Sequence, residues 1–299
     1  MKWLQLTIAI SPQIEDACVS QVQDLGATAV FVDSSPDSSR ILLHGIFPLK
    51  ADRSWIEQSM RIYLSSLQEL GFEIPSPELT LQEIDEEKYL SQWKEFFKPI
   101  HLANTLVIEP IWDQGHAKAG EKRVVIDPGM AFGTGQHFTT RFCLQWICKH
   151  RERLGSLVDI GCGSGILAAA ASVLGVKRVV ALDHDFAATK AAKACMELNQ
   201  VQDKNFLITA DCLSLPLKGS FDAVVANLHT SLLLQASQEL KSLLSPGASL
   251  VLTGIGYGNQ KEILDQYSDL QLQEIQNDPH KEWVGIWFIN QQSGLLASK

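Results

Sequence analysis

The chain lacks any apolar run near the ~18–20 residues that a membrane-spanning helix needs. No basic stretch precedes an apolar block near its start, where the larger apolar residues of Leu4 to Ile10 alternate as in a half-buried strand, so no secretory leader is expected. It has no Lys/Arg run. With 25 Lys plus Arg against 34 Asp plus Glu the formal net charge is −9, a poor match for a partner that is naked nucleic acid, which asks for a basic face. The six cysteines (Cys18, Cys143, Cys148, Cys162, Cys195, Cys212) are scattered, with no C-x-x-C pair and no His/Cys cluster. That argues against zinc, iron–sulfur clusters and radical chemistry; no metal is expected, and free buried thiols in a reducing cytoplasm are.

What is present is an ordinary globular composition, 45% hydrophobic and 20% charged, in 299 residues, long enough for two domains. Residues 1–84 read as strand, helix, strand, strand, helix, strand, the order of a ferredoxin-like α+β unit. Strand 3–10 leads through Ser11-Pro12 into a helix that stops at Gly26. Ile56, Met60, Tyr63, Leu64 and Leu67 mark a second helix, and 79–84 a last strand. This segment holds 5 basic and 11 acidic side chains, a balance that suits electrostatic steering of a basic protein target and equally an acidic surface kept for solubility. Residues 85–99 form a charged, aromatic interdomain linker helix, with Tyr89, Trp93 and Phe97 on one stripe that packs between domains.

Residues 100–299 predict strands near 104–109 and 123–126, then strands at 157–160, 178–182, 206–210, 221–226 and 248–253 with helices between them. Alternation of this kind predicts a parallel sheet with helices on both faces, a doubly wound α/β domain. Strands near 270–275 and 283–289 are separated only by a turn and should pair antiparallel at the sheet edge, completing seven strands. The stretch from Asp127 to Thr140 has three glycines and a proline, so it predicts a loop opening a helix at Thr139 or Thr140; without a G-K-[ST] ending it is no phosphate-binding P-loop.

The densest chemical signal lies at 158–168. A buried strand ends in Asp159, glycines follow at 161, 163 and 165, and an apolar helix begins. Glycines there remove Cβ atoms that would hold a ligand away from the backbone, and the helix start is expected to offer unused N–H groups to a carboxylate. Asp183, at the end of the next strand, is placed to accept ribose hydroxyls. A dinucleotide fold wants G-x-G-x-x-G; the G-x-G-x-G found here instead resembles the first motif of S-adenosylmethionine methyltransferases. Asn227 closes the strand 221–226 at the carboxyl edge, without the two prolines and aromatic ring that resemble an amide- or adenine-methylating site.

Taken together, Trp3-Leu4-Gln5-Leu6, Trp93 to Pro99, the D-P-G-x-A-F-G-T-G-x-H-x-T-T loop, D-x-G-C-G-S-G-I-L-A and Ala226-Asn227-Leu228 resemble, in order, the PrmA family. The resemblance implies methylation of the eleventh protein of the large ribosomal subunit, free or in the ribosome, on lysine ε-amines and the N-terminal α-amine. It implies a Rossmann-like catalytic domain at 100–299, a recognition domain at 1–84 on a mobile linker at 85–99, and cofactor contacts at Thr140, Gly161, Asp183 and Asn227. The turn adds Asp159, Gly163 and Gly165. Phe138 stands where the family usually has proline, and Leu228-His229 where it has Ile-Leu.

Methyl transfer from a sulfonium asks mainly for positioning of a neutral amine, which a dry apolar pocket favours. Asn227 could offer its carbonyl to that amine, and His137 or His229 could accept its proton. Asp183→Ala is expected to weaken cofactor binding and leave the fold intact. An RNA methyltransferase of the same fold, a nicotinamide oxidoreductase and a non-catalytic adenosine-binding module are the alternatives.

Overall fold

The computed structural model describes residues 2–33, 41–72, 74, 79–85, 87, 91, 97–128, 134–217 and 219–291. The chain divides into two compact units, Met1–Lys98 and Pro99–Lys299. Most of the expected linker helix at 85–99 lies outside the described residues, including Tyr89 and Trp93, as does the 129–133 part of the glycine-rich loop.

In the first unit, β1 (Lys2–Ile10), α1 (Glu15–Asp24), β2 (Ala29–Asp33), β3 (Ile41–Pro48), α2 (Arg53–Glu69) and β4 (Leu79–Asp85) follow one another as read from sequence. The sheet order is β2-β3-β1-β4 with every neighbour antiparallel, the ferredoxin-like arrangement. Period-two alternation in β1 turns Leu4, Leu6, Ile8 and Ile10 into one fully buried face, and α2 lays Ile56, Met60, Leu64 and Leu67 into the same core. Asp52 fixes where α2 starts by accepting the Trp55 N–H at 3.1 Å.

The second unit opens with a small sheet that the sequence did not resolve as separate: β5 (Ile100–Leu102), β6 (Leu106–Pro110) and β7 (Lys122–Ile126). Then come α3 (Phe138–His150), β8 (Ser156–Ile160), α4 (Ile166–Val173), β9 (Arg178–Asp183), α5 (Phe186–Leu198), β10 (Asn205–Thr209) and β11 (Phe221–Asn227). They are followed by α6 (Thr230–Gln235), α7 (Ser237–Ser242), β12 (Leu244–Gly256), α8 (Gln260–Gln266), β13 (Gln271–Asn277) and β14 (Trp283–Ile289). The helix after the glycine-rich loop begins at Phe138 rather than Thr139 or Thr140, because His137 caps it.

Seven strands form one sheet in the order β10-β9-β8-β11-β12-β14-β13. The first five are parallel; β13 and β14 pair antiparallel as expected, but β14 also inserts antiparallel between β12 and β13. Residues of β8 alternate between two cores: Leu157 faces α3, α4 and α5, whereas Val158 and Ile160 face α6, α7 and α8. Chain order reverses beside β8, with β9 on one side and β11 on the other, so a crevice opens at the carboxyl ends of those strands. Asn199 anchors the small sheet to the end of α5: its Oδ1 accepts the Val125 N–H and its Nδ2 donates to the Val125 carbonyl, both at 2.7 Å.

At the far end of α3, the His150 ring stacks on Trp146 (centroids 4.8 Å apart) and tilts against Trp287 (4.5 Å), and its Nε2 is enclosed without a hydrogen-bond partner among the described residues. Burial lowers its pKa from 6.5; Lys149 and Arg153 lower it further and Glu274 opposes them. A depressed imidazole pKa contributes stability that is complete above the ordinary value of 6.5 and is lost as pH falls through the folded one. His150→Phe, which keeps a ring but cannot titrate, is therefore expected to lose less stability than the parent between about pH 7 and pH 5. Urea midpoints at those two pH values check this; parallel shifts in both chains would refute it.

Candidate active site

The crevice is built around Asp159, the penultimate residue of β8. Alternation sends its side chain onto the α3/α4 side of the sheet, where it is fully buried, and neither carboxylate oxygen has a well-formed hydrogen bond among the described residues. Burial pushes its pKa from 3.8 up to about 7; the Ala168 amide, in the first turn of α4, opposes that rise, and the Asp183 carboxylate adds a smaller contribution to it. Asp159 also acts electrostatically on Cys143 of α3. One turn before that cysteine stands Thr140, 1% exposed, whose hydroxyl is buried without a hydrogen-bond partner among the described residues. Buried polar groups in native proteins are normally satisfied, so the Asp159 carboxylate and the Thr140 hydroxyl are candidates for contact with a ligand.

Asp183 ends β9 and is 8% exposed. Its Oδ2 accepts the Gly163 N–H and its Oδ1 the Asp185 N–H, each at 3.0 Å. The acid therefore shapes the turn through these two amides. Asp185 has a separate duty, capping α5 through the Ala187 N–H at 2.8 Å.

Two of the glycines in the turn also permit close packing. All three have left-handed φ, +73° at Gly161, +50° at Gly163 and +77° at Gly165. A Cβ on Gly165 would lie 2.7 Å from Ala192 Cα, so this glycine lets α4 and α5 touch. A Cβ on Gly161 would lie 2.3 Å from Leu228 Cδ2. The amides are largely spoken for too. Those of Gly161 and Cys162 donate to the Leu182 carbonyl, Gly165 to Cys162, and Ile166 weakly to the Ser164 hydroxyl. In place of a nest of unused donors, the turn offers a close backbone approach flanked by Asp159 and Asp183. Those carboxylates would repel a pyrophosphate and suit a ligand that carries positive charge and vicinal hydroxyls.

Asn227 ends β11, half-buried, at the same edge. His137 lies at the start of α3: its Nδ1 is 2.8 Å from the Thr139 hydroxyl and accepts the Thr139 N–H at 3.4 Å, and its ring meets Trp283 edge-on. That nitrogen is thus used in a helix cap. His229 is exposed at the start of α6. Asp159, the three glycines, Asp183 and Asn227 all lie at or beside the carboxyl ends of β8, β9 and β11, whereas Thr140 is in the first turn of α3. Sequence reasoning missed Gly254, on β12 at φ +80°, where a Cβ would lie 2.3 Å from the Leu228 carbonyl oxygen. Its only local signal was a glycine near the end of a buried strand.

A seven-stranded sheet with its last strand inserted antiparallel, and an acid-flanked glycine turn at its switch point, define an S-adenosylmethionine-dependent methyltransferase. The family model for ribosomal protein L11 methyltransferase (PrmA) matches residues 2–291, and the chain belongs to that family. Among similar proteins, the ribosomal protein L11 methyltransferase of Thermoanaerobacter pseudethanolicus is 28% identical over 96% of this chain and 98% of its own length. That of Streptococcus equi subsp. zooepidemicus is 32% identical over 85% of each. The crystal structure of ribosomal protein L11 methylase from Lactobacillus delbrueckii subsp. bulgaricus superposes with a TM-score of 0.57 at 30% identity, covering 64% of this chain and 98% of that one.

Proposed function

We propose that this chain transfers methyl groups from S-adenosylmethionine to ribosomal protein L11, on lysine ε-amines and the N-terminal α-amine, in the cytoplasm. The observation that supports the cofactor's place is the fully buried carboxylate of Asp159 beside the glycine turn, with no well-formed hydrogen bond among the described residues. Bound there, the cofactor supplies an electrophilic methyl group. Asp159 would hold its cationic end, Asp183 its ribose hydroxyls and the Thr140 hydroxyl a further polar atom, with Gly161, Gly163 and Gly165 keeping the backbone close.

The chain's part in the chemistry is placement and dryness. An amine attacks only when neutral, and free lysine has a pKa near ~10.4. Leu228 and the apolar residues around the strand ends disfavour the ammonium form by desolvation, and the Asn227 carbonyl can accept an amine N–H and so aim the lone pair. His137 is a candidate proton acceptor, although its Nδ1 already serves the α3 cap.

The acidic first unit supports a role in recognising the basic ribosomal protein, free or assembled. Mass spectrometry of ribosomal protein L11 after incubation with the chain and S-adenosylmethionine should show added methyl groups on amines. Residues 99–299 alone should keep cofactor affinity and lose that transfer. Label appearing in RNA and not in protein would overturn the substrate assignment, and full transfer by the shortened chain would overturn the recognition role.

A further inference from the structure

Resting on the cofactor assignment above, we propose that Leu228 is a positioning residue that keys the Asn227 wall to the glycine turn. On this proposal, the space left at Gly161, whose φ of +73° by itself favours glycine, also receives the Leu228 side chain. The ladder between β8 and β11 ends at Ile160 and Ala226. Beyond that pair no strand hydrogen bond sets the distance from Gly161 to Asn227, although both belong to the site. Asn227 is instead held from its other side, by continuing the ladder with Thr253 of β12.

Leu228 bridges the gap. Its N–H donates to the Thr253 carbonyl at 3.1 Å. Its backbone crosses so close above Gly254 that a Cβ there would lie 2.3 Å from Leu228 O, 2.8 Å from its C and 3.2 Å from its N. Two residues on, the Thr230 hydroxyl accepts the Gly256 N–H at 3.1 Å, so the segment is fastened to β12 at both ends. From that seat the side chain reaches back to the end of β8. A Cβ on Gly161 would meet Leu228 Cδ2 at 2.3 Å and Cγ at 3.4 Å, and would lie 3.9 Å from the Asn227 carbonyl oxygen. One leucine, accepted by two glycines at left-handed φ, thereby sets the carboxyl ends of β8, β11 and β12 relative to one another.

The test is a double-variant cycle of Gly161→Ala and Leu228→Ala, read by calorimetric affinity for S-adenosylmethionine and by thermal melting. Gly161→Ala should weaken binding by a factor at least about threefold larger in the parent than when Leu228 is already alanine, because the clash is then gone while the strain of a positive φ is common to both backgrounds. Equal factors in both backgrounds would show that Leu228 does not set the cost of a side chain at position 161, and would overturn the proposal. Should Gly161→Ala alone fail to fold, recovery of a folded, binding double variant reads the same coupling, and failure of both counts against it. Leu228→Ala should also lower kcat about tenfold with little change in KM for the ribosomal protein, and Leu228→Met, which refills the space, should restore it. An unchanged kcat in Leu228→Ala would remove the positioning role. A parent chain that binds no S-adenosylmethionine would overturn the cofactor assignment and this proposal together, whereas binding without coupling overturns the proposal alone.

Discussion

Asp159→Asn is expected to remove a decline in stability that the parent shows as pH rises. The folded chain holds this carboxyl protonated up to about 7, because it is wholly buried, against an ordinary value of 3.8. Between those values the folded state keeps a proton that the unfolded state has released, so stability falls with rising pH and levels off above about 7. The displacement from 3.8 to about 7 corresponds to at most about 4 kcal/mol. Asparagine has nearly the same volume and cannot ionise, so the variant should be the more stable chain at about pH 8. Guanidinium midpoints from about pH 5 to pH 8 decide it; a constant difference between parent and variant would sink the claim. Ligand binding gives a second readout. A cationic group beside Asp159 favours the carboxylate, so binding near pH 6 to 7 should release protons, seen as a dependence of calorimetric heat on the buffer's ionisation enthalpy. The asparagine variant should show no such release. It should bind about 10- to 150-fold more weakly, from ~1.5–3 kcal/mol for a hydrogen bond to a charged group.

Asp183→Ala should do two kinds of damage. The Gly163 and Asp185 amides lose their acceptor, and because both are only partly buried the combined cost is about 1–3 kcal/mol. The vicinal hydroxyls of the ligand lose theirs as well, so affinity should fall by about 100-fold or more. Asp185→Ala is the control: it removes an α5 cap, worth about 1 kcal/mol, without touching the crevice. Melting curves and calorimetry on the two variants separate the effects. Equal loss of affinity in both would mean that the turn's shape, not the Asp183 carboxylate, holds the ligand.

Much of the architecture could be read in the sequence because its signals are local. Leu4, Leu6, Ile8 and Ile10 alternate, Ile56, Met60 and Leu64 recur at helical spacing, and strand and helix alternate from 157 onward. The insertion of β14 beside β12 was not legible, since two strands joined by a turn pair the same way wherever the hairpin docks. Nor was β5, only three residues long. At the crevice, the residue types of Asp159, Asp183 and Asn227 announced themselves, but the partners of Gly161 and Gly165 did not. Leu228 and Ala192 are far away in sequence and meet the turn only once the sheet is ordered. His137 as a cap was hidden for a similar reason, because the glycines around it obscured where the helix begins.

The six free cysteines are all buried, and burial raises the pKa of every one; Asp159 and Asp183 push Cys162 up further, and Asp183 does the same to Cys212. Thiolates, not thiols, are the reactive form of cysteine, and a sulfonium methyl donor is an alkylating agent. An enzyme that carried an ionised sulfur next to such a reagent would consume its own cofactor by self-modification. Burial, with the acids near the turn adding to it at Cys162 and Cys212, keeps these sulfurs in the unreactive thiol form.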